Sequence, residues 1–596
     1  MRKFLLTILA KTFFLFFLAI CNVAKSDSVA VSADKTQSTD TSVQQNIDTD
    51  DVTLTVSGNA QVDDNGFAVA VDAGVSGAAV IVESGSTITT THNKDNGIYA
   101  EDTTLLDITN SGTISANKNK AIDIYRSTNS SITNNSGATI SSVGNTIRTG
   151  GASDDASSGY TITNSGKIFS TATGKKSSVL FGNANSSGGT ITNNSGAEIY
   201  SGGNVVTIKV GGTTTIKNSG SIKNNTSVDD NVIELLGSNN TVTLEEGSIL
   251  VGKISSASGT SGNTLKLNLG AGQGYFYETV GDFTLQDLDG NQVVKGSAGS
   301  VGQGGSETLD ELLSYKSLNL RQFFKKYKNS ENFNKNNGWG ESYASHSSRG
   351  AHTANLALEY DLINFGANLI SPSDNSNFVL AFEGGIQDFD KDHKIKYTNA
   401  SAGLYFPDNS SIFNLETFVM GGITLKNAER TIITNTTSSG KLDIESNYET
   451  YEIHTGVRKN NLSLVPDIGL TGSYSFTPNY DESKYYSWVD RHVGNISIYF
   501  SDNYNLIKNK NNKLNLGWTL DYRSLAGDDE QVYFINGTQA TYKQDIDLTK
   551  EITMIVSLGY EKKFLNNGII TVSLNAKGTD QSVETINGSL GLKMNF

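Results

Sequence analysis

Cysteine is almost absent: Cys21 is the only one in 596 residues. Disulfide frameworks, thiol catalysis and cysteine-ligated zinc are therefore excluded from the rest of the chain. Such a chain also suits passage in an unfolded state through an oxidising compartment. Proline is rare, with 4, and so are tryptophan, with 3, and histidine, with 6. All the prolines, all the tryptophans and five of the six histidines come after residue 300, so composition changes sharply there. Basic residues are in deficit, 46 Lys and Arg against 61 Asp and Glu, for a net charge of −15. A phosphate-binding surface needs the opposite balance, so no nucleic-acid partner is expected. Beyond the N-terminus no apolar run reaches the length of about 18 residues that a membrane helix requires.

What is present begins with an export signal. Arg2 and Lys3 precede an apolar run from Phe4 to Ile20, broken by Lys11 and two threonines. Ala24-Lys25-Ser26 then puts small residues ahead of a cut after Ser26. Lys11 disfavours a membrane anchor, and bulky Ile20 before Cys21 disfavours a lipoprotein signal.

Between the signal and residue 300 a short motif recurs: Ile108-Thr-Asn-Ser-Gly112, Ile132-Thr-Asn-Asn-Ser-Gly137, Ile162-Thr-Asn-Ser-Gly166, Ile191-Thr-Asn-Asn-Ser-Gly196 and Ile216-Lys-Asn-Ser-Gly220. Val80-Ile-Val-Glu-Ser-Gly85 and Val242-Thr-Leu-Glu-Glu-Gly247 are looser copies, and successive glycines lie 24 to 30 residues apart. A period of that size signals a solenoid, and apolar residues alternating within each copy signal strands. A right-handed parallel β-helix is expected over residues 27–300, with Ile, Val and Leu inward and Ser, Thr and Asn outward. Its more aromatic final stretch, with Tyr275, Phe276 and Tyr277, would cap it. At about 4.8 Å per coil, roughly ten coils make a rod on the order of 50 Å long.

Candidate catalytic groups in this half are few. A Ser-His-Asp set requires a histidine, and His92 is the sole one between Asp27 and Ser300, in what reads as a surface turn. Asp63-Asp64 and Asp154-Asp155 read as turn charges, since adjacent strand residues point to opposite faces and do not form the facing pair that sugar cleavage needs. Asp287-Leu-Asp289-Gly-Asn291 lacks the later glutamate of a calcium loop and reads as a turn. No metal, no cofactor and no enzymatic activity are expected. Two other readings stay open: a polysaccharide-acting β-helix enzyme, and a passive Ser/Asn-rich stalk.

At 301–337 the period changes. Leu309, Leu312, Leu313, Leu320, Phe323, Phe324 and Tyr327 fall at helical spacing, and Thr308 with Glu311 fits a capping box, which predicts a helix near 308–328. Its end, with Lys325, Lys326 and Lys328, suits a water-filled lumen. From 338 to 596 follow twelve segments of dyad alternation, near 338–347, 351–370, 376–389, 391–406, 412–428, 440–458, 461–476, 485–500, 512–524, 541–563, 568–580 and 583–596. Apolar residues alternating with polar ones in this way predict a transmembrane antiparallel barrel of twelve strands, lipid outside and polar lumen inside. Tyrosines and tryptophans near segment ends would form aromatic girdles.

Gly338-Trp339-Gly340 at the start of this region, Leu356-Ala-Leu-Glu-Tyr-Asp361 in its second segment, Leu590-Gly-Leu-Lys-Met-Asn-Phe596 at its end and Asn263-Thr-Leu-Lys-Leu267 late in the repeats together resemble the monomeric autotransporter family (type Va secretion). The resemblance covers nearly the whole chain. It implies an outer-membrane barrel with a helix in its pore, and a passenger displayed on the cell surface. As partners it implies outer-membrane lipid, periplasmic chaperones and the barrel-assembly machinery, which would read Leu590, Leu592, Met594 and Phe596. The passenger would be adhesive or self-associating, with host surfaces or other copies as partners. Replacing Phe596 with serine is expected to impair barrel assembly and surface display together. Normal levels of both in that variant, measured by heat-modifiable mobility and surface labelling, would refute the role assigned to the terminal strand.

Overall fold

The computed structural model describes residues 28–595 except 60, 65, 91–95, 151–156, 173–178, 204–205, 226, 292, 294–297, 301–308, 330–336, 351–358, 372–375, 408–414, 460–466, 483–485, 529, 536–537, 544–549 and 565–567. Ser26, Cys21, His92, Asp154-Asp155, Thr308 and Phe596 lie outside the described residues. There are two compact units. The first holds the chain up to Leu269, together with Tyr277–Leu288 and Thr434–Gly440; the second holds Gly270–Phe276, Asp289–Ile433 and Lys441–Phe596.

The repeat folds as a parallel β-solenoid. One copy supplies a strand to each of three sheets, as in Asp107–Asn110, Thr113–Ala116 and Ile122–Tyr125. Among the described residues two sheets have eleven strands and the third has eight. The motif isoleucines stack in register, Ile108 on Ile132 on Ile162 on Ile191 on Ile216. All five are buried and form part of a continuous apolar core. No coil could bury its own face, so neighbours bury it for one another.

The motif asparagines correct the expectation that they face outward. In Ile-Thr-Asn the dyad period puts Ile and Asn on the same side, and Asn110, Asn134, Asn164, Asn193 and Asn218 are all fully buried. Their amides form a ladder: each Nδ2 donates to the Oδ1 of the next coil, at 2.9, 2.8, 2.9 and 2.8 Å. A buried amide is costly unless bonded, and stacking identical residues satisfies each rung. The two spellings of the motif differ at their glycines. Gly196, after Asn-Asn-Ser, has φ +78° and turns the chain, whereas a Cβ on Gly166, after Asn-Ser, would lie 2.3 Å from the Ala138 carbonyl oxygen. Asp63 and Asp64 end the strand Gln61–Asp64 and do not occupy a turn.

In the second unit a single described helix, α1 (Leu309–Asn329), precedes twelve barrel strands. These are β1 (Asn337–Arg349), β2 (Tyr360–Ser371), β3 (Asn377–Phe389), β4 (His393–Phe406), β5 (Leu415–Thr434), β6 (Lys441–Lys459), β7 (Asp467–Thr477), β8 (Arg491–Lys508), β9 (Asn512–Leu525), β10 (Lys550–Phe564), β11 (Gly568–Thr579) and β12 (Val583–Asn595). Each pairs antiparallel with the next, and β12 pairs with β1 from Asn337 opposite Asn595 to Arg349 opposite Val583, which closes the sheet. Outward positions are large and apolar, for example Phe365 at 65 %, Leu574 at 55 % and Ile586 at 62 % exposure. Inward neighbours such as Asn364, Asn575 and Ser589 are polar. Apolar side chains left outside a closed, polar-lined barrel are in place for lipid, so this is a membrane barrel.

Two of the twelve segments correct the expectation. Residues 486–488 and 541–543 belong outside the barrel, to a small sheet of Tyr480–Glu482, Tyr486–Trp488, Glu530–Ile535 and Thr538–Lys543. Alternation continues through them because that sheet buries one face too: Tyr486, Trp488, Tyr533 and Ile535 pack on Ile432 and Ile444 of β5 and β6. The girdle expectation fails for Trp339, which points inward and packs against α1, and for Trp488, which lies in the small sheet.

Replacing Asn164 with alanine removes the middle rung of the amide ladder. Leaving one buried partner unsatisfied is expected to cost about 1–3 kcal/mol. Urea unfolding of the full chain, followed by a probe in the solenoid, measures this; an unchanged midpoint would show that the ladder contributes no net stability.

Candidate functional site

The lumen of the barrel is the chemically distinctive place in the second unit, and α1 occupies it. The helix has 21 residues, about 31 Å at 1.5 Å per residue, close to the hydrocarbon thickness. Three faces of the helix meet three parts of the wall. Leu312 packs with Tyr360, Phe389 and Ile395, while Leu320, Phe323, Phe324 and Tyr327 pack with Trp339, Ile370, Tyr405 and Phe418. This apolar face lies against β1–β5.

A second face is charged and meets β5 to β9. The Lys316 Nζ donates to both oxygens of Glu452, at 2.7 and 2.8 Å, and to Thr424 Oγ1 at 2.7 Å. Ser317 Oγ shares a hydrogen bond with His454 Nδ1 at 3.0 Å. Arg321 donates to Asp521 at 2.9 Å, and its guanidinium lies 4.3 Å from the centre of the Tyr499 ring. All of these polar groups are buried. On the third face Lys326 donates to Glu341 at 2.5 Å and to Ser589 at 2.8 Å. Beside it, Asn319 and Gln322 line a crevice with Ser345 and Asn364 of β1 and β2 and Asn575 and Asn587 of β11 and β12, and Gln322 and Lys325 line a second one with Asn515, Ser557 and Ser573 of β9–β11.

Helix direction follows from these contacts. Lys326 and Tyr327 lie near the start of β1, at Glu341 and Trp339, and Leu312 lies near Val583 at the start of β12. The N-terminal end of α1 therefore lies at the end of the lumen opposite to both Asn337 and Asn595.

Of the residues expected to form a pore helix, Leu312, Leu313, Leu320, Phe323 and Phe324 are buried in the lumen; Leu309 begins the helix. Leu590 and Leu592 of β12 face outward, and Met594 pairs with Gly338. Sequence reading missed Lys316, Ser317 and Arg321 and their partners Glu452, His454 and Asp521. The available signal was a carboxylate or histidine at an inward dyad position between outward apolar residues, as in Tyr451-Glu452-Ile453-His454.

In the first unit one outward patch of the solenoid stands apart from its Thr/Ser surface. Phe67 and Tyr99 stack at 4.2 Å, the Tyr99 hydroxyl donates to Glu101 at 2.5 Å, and it shares a 2.6 Å hydrogen bond with Tyr125. Asp123 is buried and takes a bidentate pair from Arg148 at 2.5 and 2.7 Å. Partial burial, and then the bond to Tyr125, raise the Tyr99 phenol above its ordinary pKa. Burial lowers Lys120, against the attraction of Asp123. In the second unit the side-chain oxygens of Asp289 and Asn291 accept from the backbone of Gly270 and Gly272, each at 2.8 Å.

Removing one partner of a buried ion pair costs about 3–5 kcal/mol, because a charge is left uncompensated. Arg321→Ala is therefore expected to lower the temperature at which the folded barrel band converts to the unfolded one on gels, and Arg321→Leu with Asp521→Leu to recover much of the loss. Equal damage from the single and the double variant would argue against the pair.

No family model matches the sequence, and no curated protein matches it. Among solved structures, the translocator domain of autotransporter NalP from Neisseria meningitidis is 12% identical, with a TM-score of 0.33, over 49% of this chain and 100% of that one. The β domain of the Bordetella autotransporter BrkA is 7% identical, with a TM-score of 0.30, over 44% and 99%. The transport unit of autotransporter AIDA-I from Escherichia coli is 11% identical, with a TM-score of 0.28, over 48% and 98%. A β-solenoid, a helix held in a barrel lumen and a closed membrane barrel of twelve antiparallel strands follow one another in this order along the chain.

Proposed function

We propose that the barrel supports export of the solenoid across the outer membrane and that the solenoid is displayed as a non-enzymatic rod, adhesive or self-associating. On this reading residues 27–300 are the passenger, after a signal that ends at Ser26. Residues 301–337 are the linker and 338–596 the translocator. The observation that carries the reading is the path of α1. The N-terminal end of the helix lies at the end of the lumen opposite to the strand termini, as it must if the chain before it has passed through the pore. An even strand number places both barrel termini on one side, the periplasmic one.

The outward face of the solenoid supports a binding role. Its strands present Thr and Lys at every second position, as in Thr161–Asn164 and Thr215–Asn218, a hydrogen-bonding surface repeated from coil to coil. Periplasmic chaperones and the barrel-assembly machinery are the expected partners on the way out, with Leu590, Leu592, Met594 and Phe596 as the strand that machinery reads.

Protease added to intact cells should cleave the solenoid and spare the barrel. A solenoid protected until the cells are lysed would overturn the export reading. A panel of glycan substrates tests the non-enzymatic part: turnover abolished by a single carboxylate substitution would replace the rod with a polysaccharide-acting enzyme.

A further inference from the structure

Each unit contains a short piece of chain from the other's stretch of sequence. Gly270–Phe276 belongs to the second unit, although the chain before it, up to Leu269, and the chain after it, Tyr277–Leu288, belong to the first. Conversely, Thr434–Gly440, the connection between β5 and β6, belongs to the first unit. Each piece is held by bonds inside the unit that receives it.

In the second unit the cause is an unfinished sheet edge. Pairing of β4 with β5 ends at His393 opposite Arg430, but β5 runs on to Thr434. Backbone groups on that edge need partners. The strand Tyr275–Tyr277 is added there, with Ala298–Ser300 beside it. The Ile433 N–H donates to the Gly274 carbonyl at 3.0 Å, the Gln273 amide to the Thr431 carbonyl at 3.3 Å and the Tyr486 hydroxyl to the Tyr275 carbonyl at 3.2 Å. Phe276 is buried in a pocket made by Ile432, Ile444, Tyr486, Trp488, Tyr533 and Ile535. The small sheet that supplies most of this pocket is pinned to β5, because Glu482 accepts from Arg430 at 2.6 Å and from Trp488 Nε1 at 2.8 Å.

In the first unit Asn435 plays the corresponding part. Its backbone carbonyl accepts from the Gly252 N–H at 3.0 Å. Its Nδ2 donates to the carbonyls of Gly252 and Glu278, both at 2.9 Å, and its Oδ1 accepts from the Glu278 N–H at 2.8 Å. Gly252 follows Ile249–Val251, the last described strand of its sheet, where no further coil supplies partners.

We propose that these two insertions form a clasp that keeps the solenoid joined to the barrel without the covalent linker at 301–337. A chain cut in that linker still has Gly270–Phe276 bound by one fragment and Thr434–Gly440 bound by the other. The consequence for the cell rests on the export reading above: a cut solenoid stays on the surface and is not shed.

The test uses the full chain, purified in detergent, with a protease recognition sequence flanked by Gly-Ser repeats inserted between Gly304 and Gly305. After complete cutting the two fragments are expected to co-elute on size exclusion and to part only on denaturation. Phe276→Asp puts a charge into the apolar pocket, and Asn435→Ala removes three side-chain hydrogen bonds. Together they should make most of the solenoid fragment elute alone, while the barrel keeps its heat-modifiable mobility. Trp488→Ala opens the same pocket from the barrel side, and is expected to raise the released fraction several-fold even if the double variant does not fold. Wild-type fragments that part on cutting would overturn the proposal, as would co-elution that none of these substitutions alters. No cells are involved, so failure of the export reading leaves this result intact. On intact cells the two are told apart: an inserted site cut only after lysis counts against export, and a cut solenoid fragment found in the medium counts against the clasp.

Discussion

In hydrocarbon there is no water to pair a backbone N–H or C=O, and an unpaired group costs several kcal/mol. The register of β12 on β1 meets that constraint for the whole second unit. Once the sheet closes, alternate side chains have only two destinations, lipid and lumen. The outward apolar belt, the polar wall and the space for α1 all follow. Without the last strand, β1 and β11 would both present open edges in the membrane.

The same rule operates inside the lumen and the solenoid, where polar groups are buried away from bulk water. In the solenoid it is met by repetition: each asparagine finds its partner in the identical residue one coil away. In the lumen it is met by complementarity, with Lys316, Ser317 and Arg321 set against Glu452, His454 and Asp521. Apolar packing gives the helix its place on one side of the wall, while the ion pairs fix its height and rotation. On the third side Lys326 pairs with Glu341 and donates to Ser589.

Much of this was legible in the chain. The 24–30-residue spacing of Asn-Ser-Gly motifs specifies a solenoid, because only stacking hides their isoleucines. The 2.0 and 3.6 periods separate strands from α1, and the helix Leu309–Asn329 lies within a residue of its expected limits. These are local patterns, set by the direction in which successive side chains leave the backbone.

Other features depended on the folded context. The dyad period that identifies a strand cannot say which sheet receives it, so Tyr486–Trp488 and Thr538–Lys543 read as barrel when they build a small separate sheet. Nor does it say that an asparagine belongs inside, since burial is tolerable only when the next coil supplies the partner. Trp339 reads as a girdle residue until α1 is beside it. By itself the sequence determined the solenoid, the helix and the twelve-stranded barrel, because periodicity is a property of neighbouring residues. Only the tertiary structure decided which polar groups were buried against one another, because those partners lie up to 263 positions apart in the chain.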